Sequence, residues 1–293
     1  MMLHKGVCHM TIQQPGAGHS SHQWDPGQAP FANQADAFAL TTRDLARWQT
    51  RFGVAPDQIR HDYVISRVLE AIAPCADAFV FVGSTALSRT LLDGLRLSEG
   101  INLVSILDRG LTARLLDDAL AVGLRDRFGE VSGQPRLTEV GSQETCVYHI
   151  GETKVRIQLI SSDNCPPWPR RTSRITQRYS GLPDLHLTTY TLDAMVAAAT
   201  SAWCDRAEPG DLYDLWALSD LGLIDAASVG TFKEYGPTGS HPRRWRLPPN
   251  PPTESAWKGA LGHLCTLRVT ADQAYKAVVE AWRMAVEATG EMF

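Results

Sequence analysis

A short apolar run ends in a glycine and two hydroxyl residues in the stretch FVGSTALSRTLLDGL. Gly83 would let the backbone approach a ligand closely, and the Ser84 and Thr85 hydroxyls can donate hydrogen bonds. Apolar residues at helical spacing follow, so the turn would open a helix whose N-terminus adds positive potential. This order is typical of a phosphate-binding turn. It also fits an ordinary turn with a helix cap, and the motif alone leaves both interpretations open.

Two aspartates further along the chain could act together. Asp211 and Asp214 are three positions apart in DLYDLWALSDLG, a predicted helix, so they share one of its faces. Carboxylates on one face can hold a metal ion or position a nucleophile. Because Asp211 follows Pro209 and Gly210, it could instead stabilise the start of the helix through the helix dipole.

The strand KVRIQLI carries polar residues on one face. Lys154, Arg156 and Gln158 are separated by two positions each, so their side chains point to the same side of the predicted strand. If that side lines a cleft, Lys154 and Arg156 could hold phosphates. A solvated sheet face is the alternative.

A proline-rich segment supplies a group of arginines. Arg170, Arg171, Arg174 and Arg178 occur within nine positions of PRRTSRITQR. Arginines in a flexible segment suit contacts with an RNA backbone. Such a segment can equally be a solvated surface or a docking site for an acidic partner.

Hydrophobic periodicity predicts two helices, then a sheet with interleaved helices, then a helical C-terminal half. The first helix runs from Thr42 to about Phe52, and APDQIRHDYVISRVLEAIAP forms the second. Four strands are predicted in DAFVFVG, INLVSIL, TCVYHI and KVRIQLI, the last two joined as an antiparallel hairpin by GET. Residues 161–184 are predicted to be a loop, and LHLTTY a last strand. This order indicates an α/β or α+β core with an appended helical bundle.

Composition narrows the class of protein. The chain has 293 residues, 44% hydrophobic and 20% charged, and a net charge of −4, so bulk charge does not indicate a nucleic-acid binder. Its six cysteines form no C-x-x-C pair and are typical of reduced, cytoplasmic residues. Residues 1–33 lack the apolar core of a signal peptide and are predicted to be a disordered tail. The predicted units after it are residues 34–190 and 191–293.

Several of these stretches resemble a known family. FVGSTALSRTL followed by RLSEGINL resembles the AbiEii-type nucleotidyltransferase toxins, a bacterial toxin–antitoxin family within the DNA polymerase beta-like superfamily. The family pattern is a Gly-Gly/Ser-Thr-Ala-Leu turn and then Arg-x-Ser-Glu-Asp-Ile-Asp-Leu. CDRAEPGDLYDLWAL is similar to the family's Arg-Asp-Leu-Tyr-Asp-Leu segment, and IRHDYVISRVLEAIA fits its first helix. The resemblance extends from about Ile59 to Leu218.

The resemblance implies an α+β fold with a polymerase beta-like nucleotidyltransferase core, a mixed sheet with helices, plus a C-terminal helical bundle. It implies Mg²⁺-dependent transfer of a nucleotide from an NTP to an acceptor such as tRNA, and an antitoxin as partner. Asp214, together with Asp211, would be catalytic. The nucleotide-binding residues that it implies are Gly83, Ser84, Thr85, Arg96 and Lys154.

The sequence departs from the family pattern at four positions. The two metal-binding aspartates fall on Gly100 and Asn102, the lysine falls on or near Ala199, and an arginine falls on Gly210. Glycine supplies no ligand, and Asn102 supplies only a neutral carbonyl oxygen, so it is a degenerate metal position. Two functions remain: a nucleotidyltransferase toxin, or a catalytically dead protein of the same fold that binds nucleotide, RNA or a partner protein.

Overall fold

The computed structural model describes residues 39–293, and the tail predicted over residues 1–33 lies outside the described residues. Its first two helices are those that the sequence predicts. Helix α1 spans Thr42–Phe52, and the Thr41 hydroxyl caps it by accepting a hydrogen bond from the backbone N–H of Asp44 at 3.0 Å. Helix α2 spans Pro56–Ile72 and begins with a proline. Proline is favourable there because a residue at the first helical position makes no helical hydrogen bond through its N–H, so the N–H that proline lacks is not needed.

A five-stranded mixed sheet forms the centre of the molecule, with strand order β1-β2-β5-β4-β3. The strands are β1 (Phe79–Val82), β2 (Gly100–Ser105), β3 (Ser132–Gln134), β4 (Thr145–Ile150) and β5 (Thr153–Ile160). Strands β2 and β5 are parallel and the other neighbours are antiparallel, so the predicted hairpin of β4 and β5 is confirmed. Strand β3 was not predicted, because three residues are too few to show a period.

Helices connect the strands of this sheet. Helix α3 (Gly83–Thr90) lies between β1 and β2 in the chain. Helix α4 (Arg109–Gly123) and the short α5 (Arg125–Phe128) lie between β2 and β3. Helix α3 begins directly at the glycine–hydroxyl turn, as the sequence predicts.

The two faces of the sheet have different neighbours. Phe81 and Leu103 belong to a hydrophobic core shared with α1, α2 and α4, whereas Val82 and Val104 belong to a second core shared with the C-terminal helices. This division follows from strand geometry, since successive side chains point to opposite faces. We call the side that carries Val82 and Val104 the cleft face.

The proline- and arginine-rich segment is more ordered than predicted. The prediction of a loop over residues 161–184 is wrong in its centre, where strand β6 spans Arg170–Ile175. It pairs antiparallel with β7 (Leu185–Tyr190), the strand predicted in LHLTTY. Ser173 and Ile175 are buried while their neighbours are exposed, a period of two that the flanking prolines obscure in the sequence.

The C-terminal half is helical, as the sequence predicts. Its helices are α6 (Leu192–Arg206), α7 (Pro209–Asp220), α8 (Ala226–Tyr235), α9 (Glu254–Leu261) and α10 (Ala271–Glu287). Helices α6 and α7 share the second hydrophobic core with the cleft face of the sheet, so this core crosses the division at residue 190. The predicted division into units at 190 and 191 therefore stays a prediction. Within residues 39–293, no helix is both long and apolar enough to span a membrane.

Candidate functional site

A cleft of about 500 Å³ lies between the cleft face of the sheet and helix α6. It receives residues from segments that are far apart in the chain, including the start of α3, the middle of β2 and the first turns of α7. Eight of the residues singled out in the sequence line it: Gly83, Ser84, Arg96, Asn102, Gln158, Ala199, Asp211 and Asp214. The structure thus brings together the turn, the strand that carries Asn102 and the aspartate pair.

The floor of the cleft is a row of three residues on neighbouring strands. In the strand register, Val82 is opposite Asn102, and Asn102 is opposite Gln158. The amide side chains of Asn102 and Gln158 are therefore neighbours on the cleft face. Gly83 directly follows Val82 at the end of β1, and its backbone φ of 78° lies in a region that favours glycine. A Cβ at Gly83 would lie 2.9 Å from the amide nitrogen of Asn102.

The two hydroxyls of the turn have different positions. Ser84 lines the cleft at the first turn of α3, and no side chain caps this helix start. Thr85 is buried, and its hydroxyl donates a hydrogen bond to the carbonyl oxygen of Gly100. This bond ties α3 to β2, so of the two hydroxyls Ser84 is the one that a ligand in the cleft would meet.

The backbone of β5 closely approaches Gly100. A Cβ at position 100 would lie 2.9 Å from the Arg156 carbonyl oxygen, a distance at which the backbone of β5 would have to move. The carbon chain of an aspartate begins with that Cβ. At this position the packing of the two strands matches glycine rather than an acid.

Arg96 and Asp214 form a buried ion pair. The Arg96 Nε and Nη2 donate to the two carboxylate oxygens of Asp214, each at 2.7 Å, and Nη1 donates to the Leu97 carbonyl oxygen at 3.1 Å. Both side chains are less than a tenth exposed. Burial raises the pKa of the Asp214 carboxyl, and the Arg96 guanidinium opposes that shift. The guanidinium and the carboxylate are each other's main partner.

Asp211 has a similar arrangement nearer the surface. Arg206 donates to its two carboxylate oxygens at 3.2 and 2.6 Å. Burial raises the pKa of the Asp211 carboxyl, while Arg206 opposes the shift. Each aspartate of the predicted pair thus forms an ion pair with an arginine, Asp214 with Arg96 and Asp211 with Arg206.

Other basic residues from the sequence lie away from the cleft lining. Lys154 and Arg156 are exposed on β5, and Arg156 donates to Glu99 at 3.1 Å. Arg170, Arg171 and Arg174 are exposed on β6, so their predicted role in nucleic-acid binding stays a prediction.

Arg178 differs from the other arginines of its segment. It is buried and donates to Asp62 at 3.0 and 3.2 Å and to Asp93 at 3.1 Å. Arg89 and Tyr179 also bind Asp62, at 2.8 and 2.7 Å. This network joins α2, α3 and the segment after β6, which gives Arg178 a structural role that spacing alone did not reveal.

Sequence reasoning missed the apolar wall of the cleft. It is formed by Trp168, Tyr190 and Met195, together with Ala199. Trp168 and Tyr190 are less than a tenth exposed. The signal available for Trp168 was an aromatic residue flanked by prolines in CPPWP, but only the fold shows which cleft it reaches.

Residues 67–265 match the family described as nucleotidyl transferase AbiEii toxin, type IV toxin–antitoxin system. The chain belongs to the AbiEii toxin family. No match was found among curated protein sequences.

Two solved structures are similar to parts of this AbiEii family member. MenT4, a nucleotidyltransferase toxin from Mycobacterium tuberculosis H37Rv, matches 83% of this chain and 89% of its own chain, with 17% identity and a TM-score of 0.59. A putative nucleotidyltransferase from H. pylori matches 81% of this chain and 98% of its own, with 10% identity and a TM-score of 0.46. The likeness to MenT4 confirms the expected nucleotidyltransferase-like fold.

Nucleotidyltransferases of the AbiEii kind typically use a divalent metal, so the donors of this cleft can be tested for that role. Mg²⁺ prefers several oxygen ligands in octahedral geometry. Here position 100 offers none, Asn102 offers one neutral oxygen, and the oxygens of Asp214 hold Arg96. Within residues 39–293, no group of three or more His, Cys, Asp or Glu is placed to hold a metal ion. The residues present do not fit Mg²⁺.

Proposed function

We propose that this AbiEii family member is catalytically silent and binds a ligand in its cleft without metal-dependent nucleotidyl transfer. The observation that carries the proposal is the buried pair of Arg96 and Asp214, in which this acid of the predicted aspartate pair is bound through both oxygens. A carboxylate occupied in this way has to give up a buried arginine before it can hold a metal ion, and that leaves an uncompensated buried charge.

The chemistry of nucleotidyl transfer makes these substitutions consequential. A divalent ion bridges the triphosphate and the attacking hydroxyl, and protein carboxylates hold it there. With Gly100 and Asn102 in place of the two aspartates of the family pattern, the site has two fewer formal negative charges to hold the metal ion. Ala199 supplies no cation for the phosphates at the position of the family's lysine. Restoring transfer would therefore require more than one substitution.

Incubation of the unmodified protein with labelled NTPs and total tRNA, in Mg²⁺ or Mn²⁺, tests the proposal. We expect no metal-dependent labelling of the RNA. Labelling that requires metal and disappears in Asp214→Ala would contradict the proposal. The Asp57→Ala variant, at an exposed position on α2, is the matched control for loss of an aspartate.

The second candidate function is an active toxin that transfers a nucleotide from an NTP to tRNA. Membership of a family described as nucleotidyl transferase toxins favours it. The exposed arginines of β6 support contact with an RNA acceptor. In this case Asn102 and Asp211 would have to hold the metal, and the labelling experiment above would give the opposite result.

A toxin–antitoxin family also implies an antitoxin as partner. We infer that a neighbouring gene, of the helix-turn-helix regulator kind, counteracts this chain if the chain is toxic. Expression of the chain alone and together with that gene separates the two candidates. Growth arrest that the neighbouring gene relieves favours the active toxin, whereas unimpaired growth under both conditions favours the silent protein.

A further inference from the structure

We propose that the cleft selects an uncharged nucleoside over a nucleoside triphosphate. This rests on the proposed function, since a site that performs no metal-dependent transfer has no need to hold a metal–triphosphate complex.

The charges of the lining disfavour a triphosphate. Within residues 39–293, the charged side chains that line the cleft are Arg96, Arg206, Asp205, Asp211 and Asp214, a net charge of −1. Both arginines are already bound to aspartates, and Asp205 adds a negative charge at the exposed rim. A triphosphate placed here would carry several negative charges without a free cation to offset them.

The start of α3 does not change this balance. Its positive end is equivalent to about half an elementary charge, which can favour one acceptor oxygen. Ser84 adds a hydroxyl at the same place. These groups suit a ribose hydroxyl as well as a phosphate oxygen, and they do not neutralise a triphosphate.

The floor and walls suit a planar heterocycle. Asn102 and Gln158 each present a donor and an acceptor side by side, the combination that reads the edge of a base. Gln158 also donates to the Gln143 carbonyl oxygen at 3.3 Å, which orients its amide. Trp168 and Tyr190 form an aromatic wall beside them. A cleft of about 500 Å³ falls within the range of roughly 300–1,000 Å³ that small-molecule sites occupy.

Titration calorimetry of the full chain with the four ribonucleosides, their monophosphates and their triphosphates, with and without Mg²⁺, tests this inference. We expect at least one nucleoside to bind about tenfold or more tightly than its triphosphate, with an affinity that Mg²⁺ leaves unchanged. Tighter binding of the triphosphates, or no nucleoside binding at concentrations on the order of millimolar, would overturn the inference.

Two variants sharpen the test. Gln158→Met keeps the side-chain length but removes its polar atoms, and we expect nucleoside affinity to fall about tenfold. Ala199→Lys adds a cation to the wall, and we expect it to shift the preference towards triphosphates, whereas Ala227→Lys, at an exposed position on α8, should not. Melting temperatures of all three variants separate a lost contact from a lost fold. An unchanged preference in folded Ala199→Lys would show that charge is not the selector and overturn the inference.

The two proposals fail in different ways. Metal-dependent labelling of RNA contradicts the proposed function, whatever the nucleoside affinities are. A chain that labels nothing and still prefers triphosphates overturns only the present inference.

Discussion

Arg96 and Asp214 are 118 positions apart in the sequence and form two hydrogen bonds of 2.7 Å with each other inside the molecule. The arginine precedes β2 and the aspartate lies on α7, so the pair joins the sheet to the helical half. An Arg–carboxylate pair with two parallel hydrogen bonds is geometrically specific. The pair therefore fixes the relative position of the two elements that border the cleft.

Removing one partner of this pair should destabilise the fold. Asp214→Ala leaves the Arg96 guanidinium buried and unpaired, and we expect a loss of about 3–5 kcal/mol in the free energy of unfolding. The double variant Arg96→Met with Asp214→Leu should recover most of that loss. Urea denaturation of both variants measures the difference. Asp211→Ala, whose arginine partner is largely exposed, is the control and should lose only about 1 kcal/mol or less. Equal losses at both aspartates would contradict a structural role specific to Asp214.

Restoring an acid at position 100 should strain the sheet. Gly100→Asp places a Cβ 2.9 Å from the Arg156 carbonyl oxygen, so we expect overpacking that costs about 1–3 kcal/mol. Asn102→Asp has nearly the same size as the wild-type residue and should change stability less. Thermal melting of both variants without metal makes the comparison. If Gly100→Asp melts at the wild-type temperature, the strands are free to separate and the site is more adaptable than its packing indicates.

The Asp62 network should make stability depend on acidity. Burial alone would raise the pKa of the Asp62 carboxyl, but Arg89 and Arg178 lower it below the usual value. Since the folded-state pKa is depressed, the stabilisation is present above the unfolded pKa of about 3.9 and is lost as pH falls through the folded value. Asp62→Asn should therefore be less stable at neutral pH and lose part of the wild-type acid dependence below about pH 4. Denaturation at a series of pH values tests this, with Asp57→Asn as the exposed control. If the free energy of unfolding of Asp62→Asn falls below pH 4 in the same way as that of the wild type, Asp62 is not the source of the acid dependence.

The arginines of β6 make a separate prediction about RNA. If the exposed side chains of Arg170, Arg171 and Arg174 contact RNA phosphates, replacing each by Gln should weaken binding of total tRNA. The salt dependence of log K should become shallower by about one per lost contact. Arg283→Gln, at a partly exposed position on α10, is the control. Unchanged affinity and salt dependence in the triple variant would remove this strand from the RNA-binding surface.

Local pattern was sufficient for most elements of this fold. The cap of α1, the apolar spacing of α1 and α2, the strand that ends before Gly83, and the hairpin of β4 and β5 are all decided by residues within a few positions of one another. Short or interrupted elements escaped prediction for the same reason. Strand β3 has three residues, which are too few for a period to stand out, and the six residues of β6 follow a run of prolines in a segment rich in arginine, which is typical of a loop.

The family was likewise readable from the sequence, since the turn at Gly83, the segment at Arg96 and Asp214 keep their order along the chain. The replacement of the family's acids by Gly100 and Asn102 stays a prediction. Only the tertiary structure decided what those residues contact. It bound Asp214 to Arg96, placed the β5 backbone against Gly100, turned Thr85 into the core and set Trp168 into the wall of the cleft. Each of these outcomes joins segments that lie far apart in sequence. The physical reason is that ion pairing and close packing depend on where chains meet in space, and local propensity does not specify that.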